Sequence, residues 1–160
     1  MSGLLDQLGR DTLPRPVIDE FVHWCIWQQA RQALVLVLED NQLMEIAAEI
    51  QSAVDLLTAE RLSKEAKDHI QGLSTRNDPM GLSAAEGAAF EFINMAAAAK
   101  DDVFDVEGVS FLSSRVCGWA GWALNGYANP QEKVAAEQAA LQAQEAHLQE
   151  LWDKYDDNGN

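Results

Sequence analysis

Hydrophobic residues recur at intervals of three and four along almost the whole chain. The segment 42–57 has apolar positions at Leu43, Ile46, Ala47, Ile50, Val54 and Leu57. These intervals place side chains on one face of an α-helix. Alternation of apolar and polar residues over the length of a strand is absent, and prolines occur only at positions 14, 16, 79 and 130. The pattern therefore predicts an all-α protein.

Start signals divide this pattern into six predicted helices. Pro16 and Pro130 suit the first turn of a helix, and Ser83 with Glu86 has the spacing of a capping box. The expected helices cover about 16–40, 42–57, a short segment capped by Thr58 or Ser63 and ending near Gly72, 84–100, 107–127 and 130–155. The first and fifth are apolar around their circumference, so we expect a bundle with two central helices wrapped by four amphipathic ones.

The length of the chain fits one domain. Its 160 residues, of which 48% are hydrophobic, can enclose a single core. We therefore assign residues 1–160 to one helical domain. Within it, 1–14 form a lead-in, the polar segment 74–82 forms an exposed loop open to proteolysis, and 156–160 form a frayed tail.

The fifth predicted helix carries small residues on one side, among them Gly118 and Gly121. Each glycine inside a helix costs about 1 kcal/mol relative to alanine, which implies close contact with a neighbouring helix. The fourth helix offers a matching surface of alanines, namely Ala88, Ala89, Ala96 and Ala99. In the sixth helix Glu137 and Gln144 interrupt the apolar stripe. Its N-terminal half is therefore expected to be thinly anchored and open to dimerisation or partner binding.

The charge balance is strongly acidic. The chain has 26 Asp and Glu residues against 11 Lys and Arg, which gives a net charge of -15 and a pI near 4.3. Such a field repels phosphate backbones and anionic membranes and attracts basic partners. We therefore expect a basic protein partner, with neither nucleic acid nor a membrane as ligand and a homodimer as an alternative. The candidate partner-binding acids are Glu39, Asp40, Glu45, Glu49, Asp101, Asp102, Asp105 and Glu107.

Signals for export or membrane insertion are missing from the sequence. The N-terminus MSGLLDQLGR lacks a basic region followed by an apolar one, and no apolar run reaches the length of a bilayer span. Cys25 and Cys117 lie among tryptophans and are too few for a disulfide framework. We expect a cytoplasmic protein with reduced, buried thiols.

The stretch HWCIWQQAR, residues 23–31, is the first place to look for catalysis. His23 and Cys25 lie two residues apart, which separates them by about 200° on a helix and prevents a thiolate–imidazolium pair. Glu20 and His23 have the Glu-x-x-His spacing of di-iron carboxylate sites, but the second such motif is missing. Phosphate-binding glycine loops and the Gly-x-Ser-x-Gly turn of serine hydrolases are also missing. The sequence therefore predicts no enzyme, no metal and no cofactor.

Two clusters combine an arginine with tryptophans, one around Arg31 in the first helix and one around Arg115 in the fifth. The candidate pocket residues are Glu20, His23, Trp24, Trp27, Arg31, Arg115, Trp119 and Trp122. Glu20 is expected on the same helical face as the Arg31 guanidinium, which can stack on an indole ring. A buried Arg115 requires a paired acid, for which Glu20, Glu86 and Glu91 are the candidates. Interior braces and a recognition pocket are both open interpretations.

Four stretches of the sequence resemble a known family. They are Trp24-Cys25 early in the first long helix, MAAAAKD, CGWAGWA and the closing EQAALQAQEAHLQELW. Their order and style, over residues 17–155, are similar to a family of small all-helical proteins assigned as immunity proteins of bacterial toxin systems. The resemblance implies a cytoplasmic protein that binds and silences a toxin domain without catalysis. Two other functions stay open: an acidic nucleic-acid mimic that inhibits a defence or nucleic-acid-binding protein, and a helical bundle that binds a small ligand or acts as an enzyme.

Overall fold

The computed structural model describes Leu5 and residues 13–73, 79–100, 106–125 and 130–158. Within these ranges the chain forms six helices and no strand, which confirms the predicted all-α bundle. Helix α1 runs continuously through Arg15–Trp24, a π-helical segment Cys25–Ala30 and Arg31–Asp40. The others are α2 (Met44–Ser52), α3 (Leu56–Leu73), α4 (Pro79–Ala99), α5 (Val106–Asn125) and α6 (Gln131–Asn158). None of these described helices combines the length and hydrophobicity that crossing a membrane requires.

Helix α3 begins earlier than predicted. It starts at Leu56 rather than at a cap on Thr58 or Ser63. The reason is Asp55, whose carboxylate accepts the Thr58 backbone N–H at 2.8 Å and the Thr58 hydroxyl at 2.9 Å. A side-chain acceptor at this position satisfies an N–H group that has no partner within the first turn.

Helix α4 also begins earlier than predicted. It starts at Pro79, so residues 79–82 of the loop expected at 74–82 are helical. Ser83 therefore lies inside the helix, and the predicted capping box is wrong. Proline suits the first turn because it has no N–H to leave unpaired there. Residues 74–78 of the expected loop lie outside the described residues.

The two ends of the chain belong to the bundle more closely than predicted. Helix α6 continues to Asn158, so residues 156–158 of the expected tail are helical. In the expected lead-in, Leu13 is buried, and the Leu5 backbone N–H donates to the Glu145 carboxylate at 2.9 Å. The other residues of the lead-in before Leu13 lie outside the described residues.

Helices α1 and α5 supply much of the centre of the bundle. Their fully buried side chains include Phe21, Leu34, Val37, Leu38, Val109 and Val116. Helix α5 packs against α4 and α6 and also contacts α1. Burial of one large apolar side chain stabilises a protein by about 1.5–3 kcal/mol. The burial is not complete on every side, because Leu36 and Phe111 are exposed.

The small-residue side of α5 packs against α6 and not against the alanines of α4. A Cβ atom added at Gly121 would overlap the Cβ of Ala136, and one added at Gly118 would overlap the side chain of Glu137. Helix α4 instead meets the bulky side of α5 through Gly87. The N-terminal half of α6 is therefore closely packed on the side that faces α5, which the expectation of thin anchoring missed, while its apolar Val134 is 53% exposed.

A buried polar network joins α1, α5 and α6. The Gln29 side chain donates to the Ala140 carbonyl at 2.9 Å, and its oxygen accepts from Gln144 at 2.7 Å. The Ser113 hydroxyl lies 2.8 Å from the same oxygen. Gln144 also donates to the Ser110 carbonyl at 3.0 Å and accepts from the Ser110 hydroxyl. Because both amides have partners at their oxygen and nitrogen ends, burial leaves neither group unsatisfied.

The π-helical segment of α1 lies against this network. Its last backbone bond joins the Arg31 N–H to the Ile26 carbonyl, five residues earlier. The Ser113 hydroxyl lies 3.0 Å from the Cys25 carbonyl oxygen at the start of the segment. A π-helical turn places one extra residue in an α-helix, which rotates everything after it by about 100°. The faces of α1 before and after this turn are therefore not continuous.

Candidate functional site

An acidic stretch runs from the end of α1 through α2 to the start of α3. Between Arg31 and Arg61 the chain has six Asp or Glu residues and no Lys or Arg. Four predicted partner-binding acids lie in this stretch and are exposed, namely Glu39, Asp40, Glu45 and Glu49. None of the four forms an ion pair with another described residue. Their charges are therefore available to a partner.

These acids occupy both flanks of α2. Glu45 and Glu49 line a hollow of about 630 Å³ between α2 and α3, together with Glu65. A second hollow shares Glu49 and Glu65 and adds Asp55. Glu39 lines a third hollow with residues of α2, so it lies on the other flank. We call the surface formed by Glu39, Asp40, Glu45 and Glu49 the acidic face.

Large apolar side chains are exposed on the same stretch of chain as the acidic face, and two of them, Met44 and Val54, line hollows together with its acids. Met44 is 53% exposed, Leu57 is 68% exposed and Val54 is 90% exposed. Met44 begins α2, and Val54 lies in the short connection from α2 to α3. We call Met44, Val54 and Leu57 the apolar anchors. Apolar groups surrounded by charged ones are the usual composition of the centre and rim of a protein interface.

The other predicted acids are not placed with this surface. Asp101, Asp102 and Asp105 lie outside the described residues, and Glu107 is exposed in the first turn of α5. The sequence prediction also missed Glu65, which the packing of α3 against α2 brings beside Glu49. In the sequence, the spacing of Glu65 four residues after Arg61 indicates an exposed acid on the surface of α3. The two side chains form an ion pair of 3.1 Å.

Trp27 and Arg31 form an interior brace between α1 and α2. Trp27 is buried, and the Arg31 guanidinium carbon lies 4.9 Å from the centre of its ring. Arg31 Nη1 donates to the Ala53 carbonyl at 3.0 Å, at the end of α2. Burial lowers the pKa of Arg31. The predicted pairing of Arg31 with Glu20 is wrong, since the guanidinium is directed towards α2.

Arg115 forms a second brace, between α4, α5 and α6. Its guanidinium donates to Glu91 at 3.3 Å, which confirms one of the three predicted acids. A second acid, Glu137 of α6, lies 3.7 Å from Arg115 and 3.2 Å from Lys133. The Lys133 ammonium lies 4.5 Å from the centre of the Trp119 ring. The sequence prediction missed Glu137 as a partner because only the contact between α5 and α6 brings it here.

Three further pocket candidates line an open groove between α1 and α6. Glu20, His23 and Trp24 come from α1, and α6 contributes His147, Leu151 and Lys154. The Trp24 and His147 rings stack with centres 4.5 Å apart and an angle of 17° between their planes. Trp122, the eighth candidate, lies beside the second brace, with its ring centre 5.9 Å from that of Trp119. The predicted pocket of eight residues is thus divided among this groove and the two braces. The π-helical turn explains part of this division, because it separates the face that carries Trp24 from the face that carries Arg31.

The two cysteines do not form a nucleophilic site. Cys25 has no exposed surface, and burial raises the pKa of its thiol far above the ordinary value of 9.0. Burial also raises the pKa of Cys117 to about 12. Both are free thiols. A thiol with such a raised pKa is almost fully protonated at neutral pH and is a poor nucleophile.

Among the described residues, no group of three or more His, Cys, Asp or Glu side chains is arranged to hold a metal ion. No protein-family model, curated protein or solved structure matches the chain. The geometry of the acidic face, the apolar anchors and the groove therefore carries the functional argument.

Proposed function

We propose that this chain is a non-catalytic inhibitor that binds a basic protein, of the immunity type that its sequence resembles. The observation that carries the proposal is the acidic face, with four unpaired carboxylates, together with the exposed Met44 and Val54 that share hollows with its acids. In this proposal the protein acts in the cytoplasm and silences a toxin domain by covering it. A homodimer, for which the sequence indicated the N-terminal half of α6, is the alternative to a basic partner.

Electrostatics favours a basic partner. The whole chain has a net charge of -15, and the stretch between Arg31 and Arg61 has no basic residue to offset its acids. A field of this sign raises the association rate of a cationic protein and repels anionic competitors. Because exposed charges are screened over about 8 Å at physiological ionic strength, this binding should weaken as salt is added.

The apolar anchors supply what charge alone does not. Interface energy is concentrated in a few apolar or aromatic side chains near the centre, and charged residues at the rim contribute mostly to orientation and rate. Met44 can fill such a centre, because it lines the same hollow as Glu45 and Glu49. Methionine adapts its shape to an irregular partner surface more easily than a branched side chain does.

The connection between α2 and α3 is held in place before any partner arrives. Arg31 donates to the carbonyl of Ala53, and Asp55 accepts from Thr58, so Val54 lies between two fixed residues. A surface that is ordered in the free protein loses less conformational entropy on binding. This is the property that tight inhibitors require.

The experiment is to identify the basic partner by affinity capture and mass spectrometry and then to measure its affinity for two double variants. Glu45→Gln with Glu49→Gln alters the acidic face, and Glu150→Gln with Asp153→Asn removes the same charge from the exposed side of α6. We expect the first pair to weaken binding roughly tenfold or more, since a hydrogen bond to a charged group contributes about 1.5–3 kcal/mol. We expect the second pair to change affinity less than threefold.

Inhibition must be measured together with binding. The captured protein should lose its activity, or its toxicity to cells, when the unaltered chain is added, and the Glu45→Gln, Glu49→Gln variant should protect less. Equal losses for both double variants would mean that only the overall charge matters. Full binding without any loss of partner activity would contradict the inhibitor proposal.

A further inference from the structure

The groove between α1 and α6 is separate from the acidic face. It encloses about 590 Å³ and is lined by Asp19, Glu20, His23, Trp24, Gln28, His147, Leu151 and Lys154. Pockets that bind small molecules have volumes of about 300–1,000 Å³. The residues Glu20 and Glu39 are separated by about 28 Å along α1, at 1.5 Å per residue. The groove and the hollows of the acidic face also share no lining residue.

Two opposite charges face the groove without partners in the described part of the chain. Arg15 Nε forms an ion pair with Asp19 Oδ1 at 2.8 Å, and the neighbouring Glu20 forms no ion pair with a described residue. Lys154 differs from the other eight Lys and Arg residues that the structure describes. Each of those eight contacts a carboxylate, a carbonyl or an aromatic ring of the described chain. Lys154 has no such contact, although it lies in a chain with a large excess of acids.

Glu20 and Lys154 also lie near each other at an adjoining hollow. Both residues also line a smaller space of about 170 Å³, together with Leu151, Pro16, Val17 and Tyr155. The Glu20 carboxylate and the Lys154 ammonium form no direct ion pair, so they lie more than 4.0 Å apart. A ligand that presents a positive and a negative group close together can therefore reach both side chains.

Part of the groove is apolar and aromatic. Trp24 and His147 stack on each other, and Leu151 lies beside them in the lining. Tyr155 is 40% exposed at the adjoining hollow. A stacked pair of rings offers a flat surface on which an apolar or aromatic group can lie.

The backbone behind the groove is unusual in the same place. Trp24 is the last residue before the π-helical segment, and Gln28 lies within that segment. π-helical turns are rare and occur frequently at functional sites. Here the segment is fixed from inside by Gln29 and Ser113, so the residues that face the groove are carried on rigid backbone.

We propose that this groove binds a free α-amino acid with an apolar side chain. The ammonium group pairs with Glu20, the carboxylate pairs with Lys154, and the side chain lies against Trp24 and Leu151. A simple anion is disfavoured by the net charge of the chain, and a simple cation leaves Lys154 unpaired and close to a like charge. A molecule with both charges can form an ion pair with each of the two residues at once.

The test compares three probes that share one ring, namely phenylalanine, phenethylamine and 3-phenylpropionate. Binding is followed by ¹H–¹⁵N NMR of the full chain, with the Trp24 indole N–H as the reporter. We expect phenylalanine to bind at least fivefold more tightly than either singly charged analogue, since each charged contact contributes to affinity. The largest shifts should lie at Trp24, Gln28 and Leu151.

Charge-removing variants assign each contact. Glu20→Gln should reduce the affinity for phenylalanine to that for 3-phenylpropionate, and Lys154→Gln should reduce it to that for phenethylamine. The matched controls are Glu39→Gln on the same helix and Lys67→Gln on α3, which should leave the affinity unchanged. All four positions are at or near the surface, so the fold is expected to persist, and thermal unfolding of each variant checks this.

Three results would overturn the proposal. They are equal affinities for the three probes, no saturable shift with phenylalanine up to its solubility, or equal effects of the Glu20 and Glu39 variants. None of them bears on the inhibitor proposal, because that proposal is tested by binding of a protein partner to the Glu45 and Glu49 variant. Conversely, loss of partner binding in the Glu45 and Glu49 variant leaves the groove unaffected.

Discussion

At the scale of single residues, the least expected feature is that two buried glutamines connect helices through hydrogen bonds. Gln144 interrupts the apolar stripe of α6 in the sequence, and it is fully buried in the structure. Its amide bonds to Gln29 and to Ser110, so the polar side chain joins three helices rather than weakening one. Periodicity could mark Gln144 as out of place, but it could not identify partners that lie 34 and 115 residues away in sequence.

Replacing Gln144 by leucine should destabilise the fold. The change leaves the Ser110 hydroxyl without its acceptor and removes one donor from Gln29, and an unsatisfied buried polar group costs about 1–3 kcal/mol. We expect the free energy of unfolding in urea to fall by about this amount. Gln149→Leu is the control, because Gln149 is exposed on the same helix and should change stability by less than about 0.5 kcal/mol. Equal effects at the two positions would show that the network contributes nothing specific.

At the scale of helices, the existence of each element was predictable, and its limits and register were less so. The spacing of apolar residues identified all six helices, because one buried face is enough to produce it. Pro79 marked a loop in the sequence, yet it begins α4, since a proline can either start a helix or end one. The hydrophobic spacing did not indicate the π-helical turn, and the Ser113 hydroxyl of α5 that contacts the start of the turn lies 88 residues away in sequence.

In the candidate site, too, some residues could be predicted from the sequence and others could not. Arg115 and its acid Glu91 could be inferred, since a buried guanidinium requires a carboxylate. His147 and Lys154 could not be assigned to the groove, because nothing local to α6 indicates which turn of α1 it meets. The acids of the acidic face were found as a charge pattern, whereas the apolar anchors beside them emerged only from exposure.

The contact between α5 and α6 gives a prediction at this scale. Gly121→Ala places a Cβ where the Cβ of Ala136 already lies, and overpacking of this kind costs about 1–3 kcal/mol. This loss should exceed the gain in helix propensity of about 1 kcal/mol. Gly72→Ala is the matched change, because a Cβ there meets no atom within 4 Å. Thermal unfolding should show a lower Tm for the first variant and an unchanged or higher Tm for the second. A rise in Tm for Gly121→Ala would contradict the close packing.

At the scale of the whole molecule, basic and acidic side chains differ in how many of them are paired. Most described basic side chains are engaged with other groups of the chain, while the acidic face keeps its carboxylates unpaired. The excess of acid is therefore concentrated where a partner can meet it. The groove lies towards the other end of α1, so one continuous helix carries both proposed binding regions.

The buried thiols report on opening of the whole molecule. Because burial raises the pKa of Cys117 to about 12 and that of Cys25 higher still, the folded protein keeps both thiols protonated at pH 8. A thiol reagent should therefore react far more slowly with the native protein than with the protein in urea. Cys117 should react first, since it is less buried than Cys25.

The raised pKa values of the two thiols also predict how the stability of the fold changes with pH. In the unfolded chain the thiols lose protons near their ordinary pKa of 9.0, whereas the folded chain retains them. Stability should therefore decrease as pH rises above about 9. Urea midpoints at pH 7 and pH 10 measure the effect, with Cys25→Ala as the comparison that should show a smaller decrease. Labelling of native Cys25 as fast as in urea would contradict its burial.

The π-helical turn also makes the number of residues in α1 significant. An α-helix that is one residue shorter carries its later residues on the same face as this π-helical turn does. Deleting one residue from Cys25–Ala30 would therefore restore an ordinary α-helix and keep the orientation of Arg31 relative to Trp24. Forcing the segment into an α-helix without a deletion would instead turn the part of α1 from Arg31 onward by about 100°. Arg31 would then lose the carbonyl of Ala53, and Glu39 would leave the flank of α2. In an alignment, a single gap at this position is therefore compatible with the same arrangement of Trp24 and Arg31.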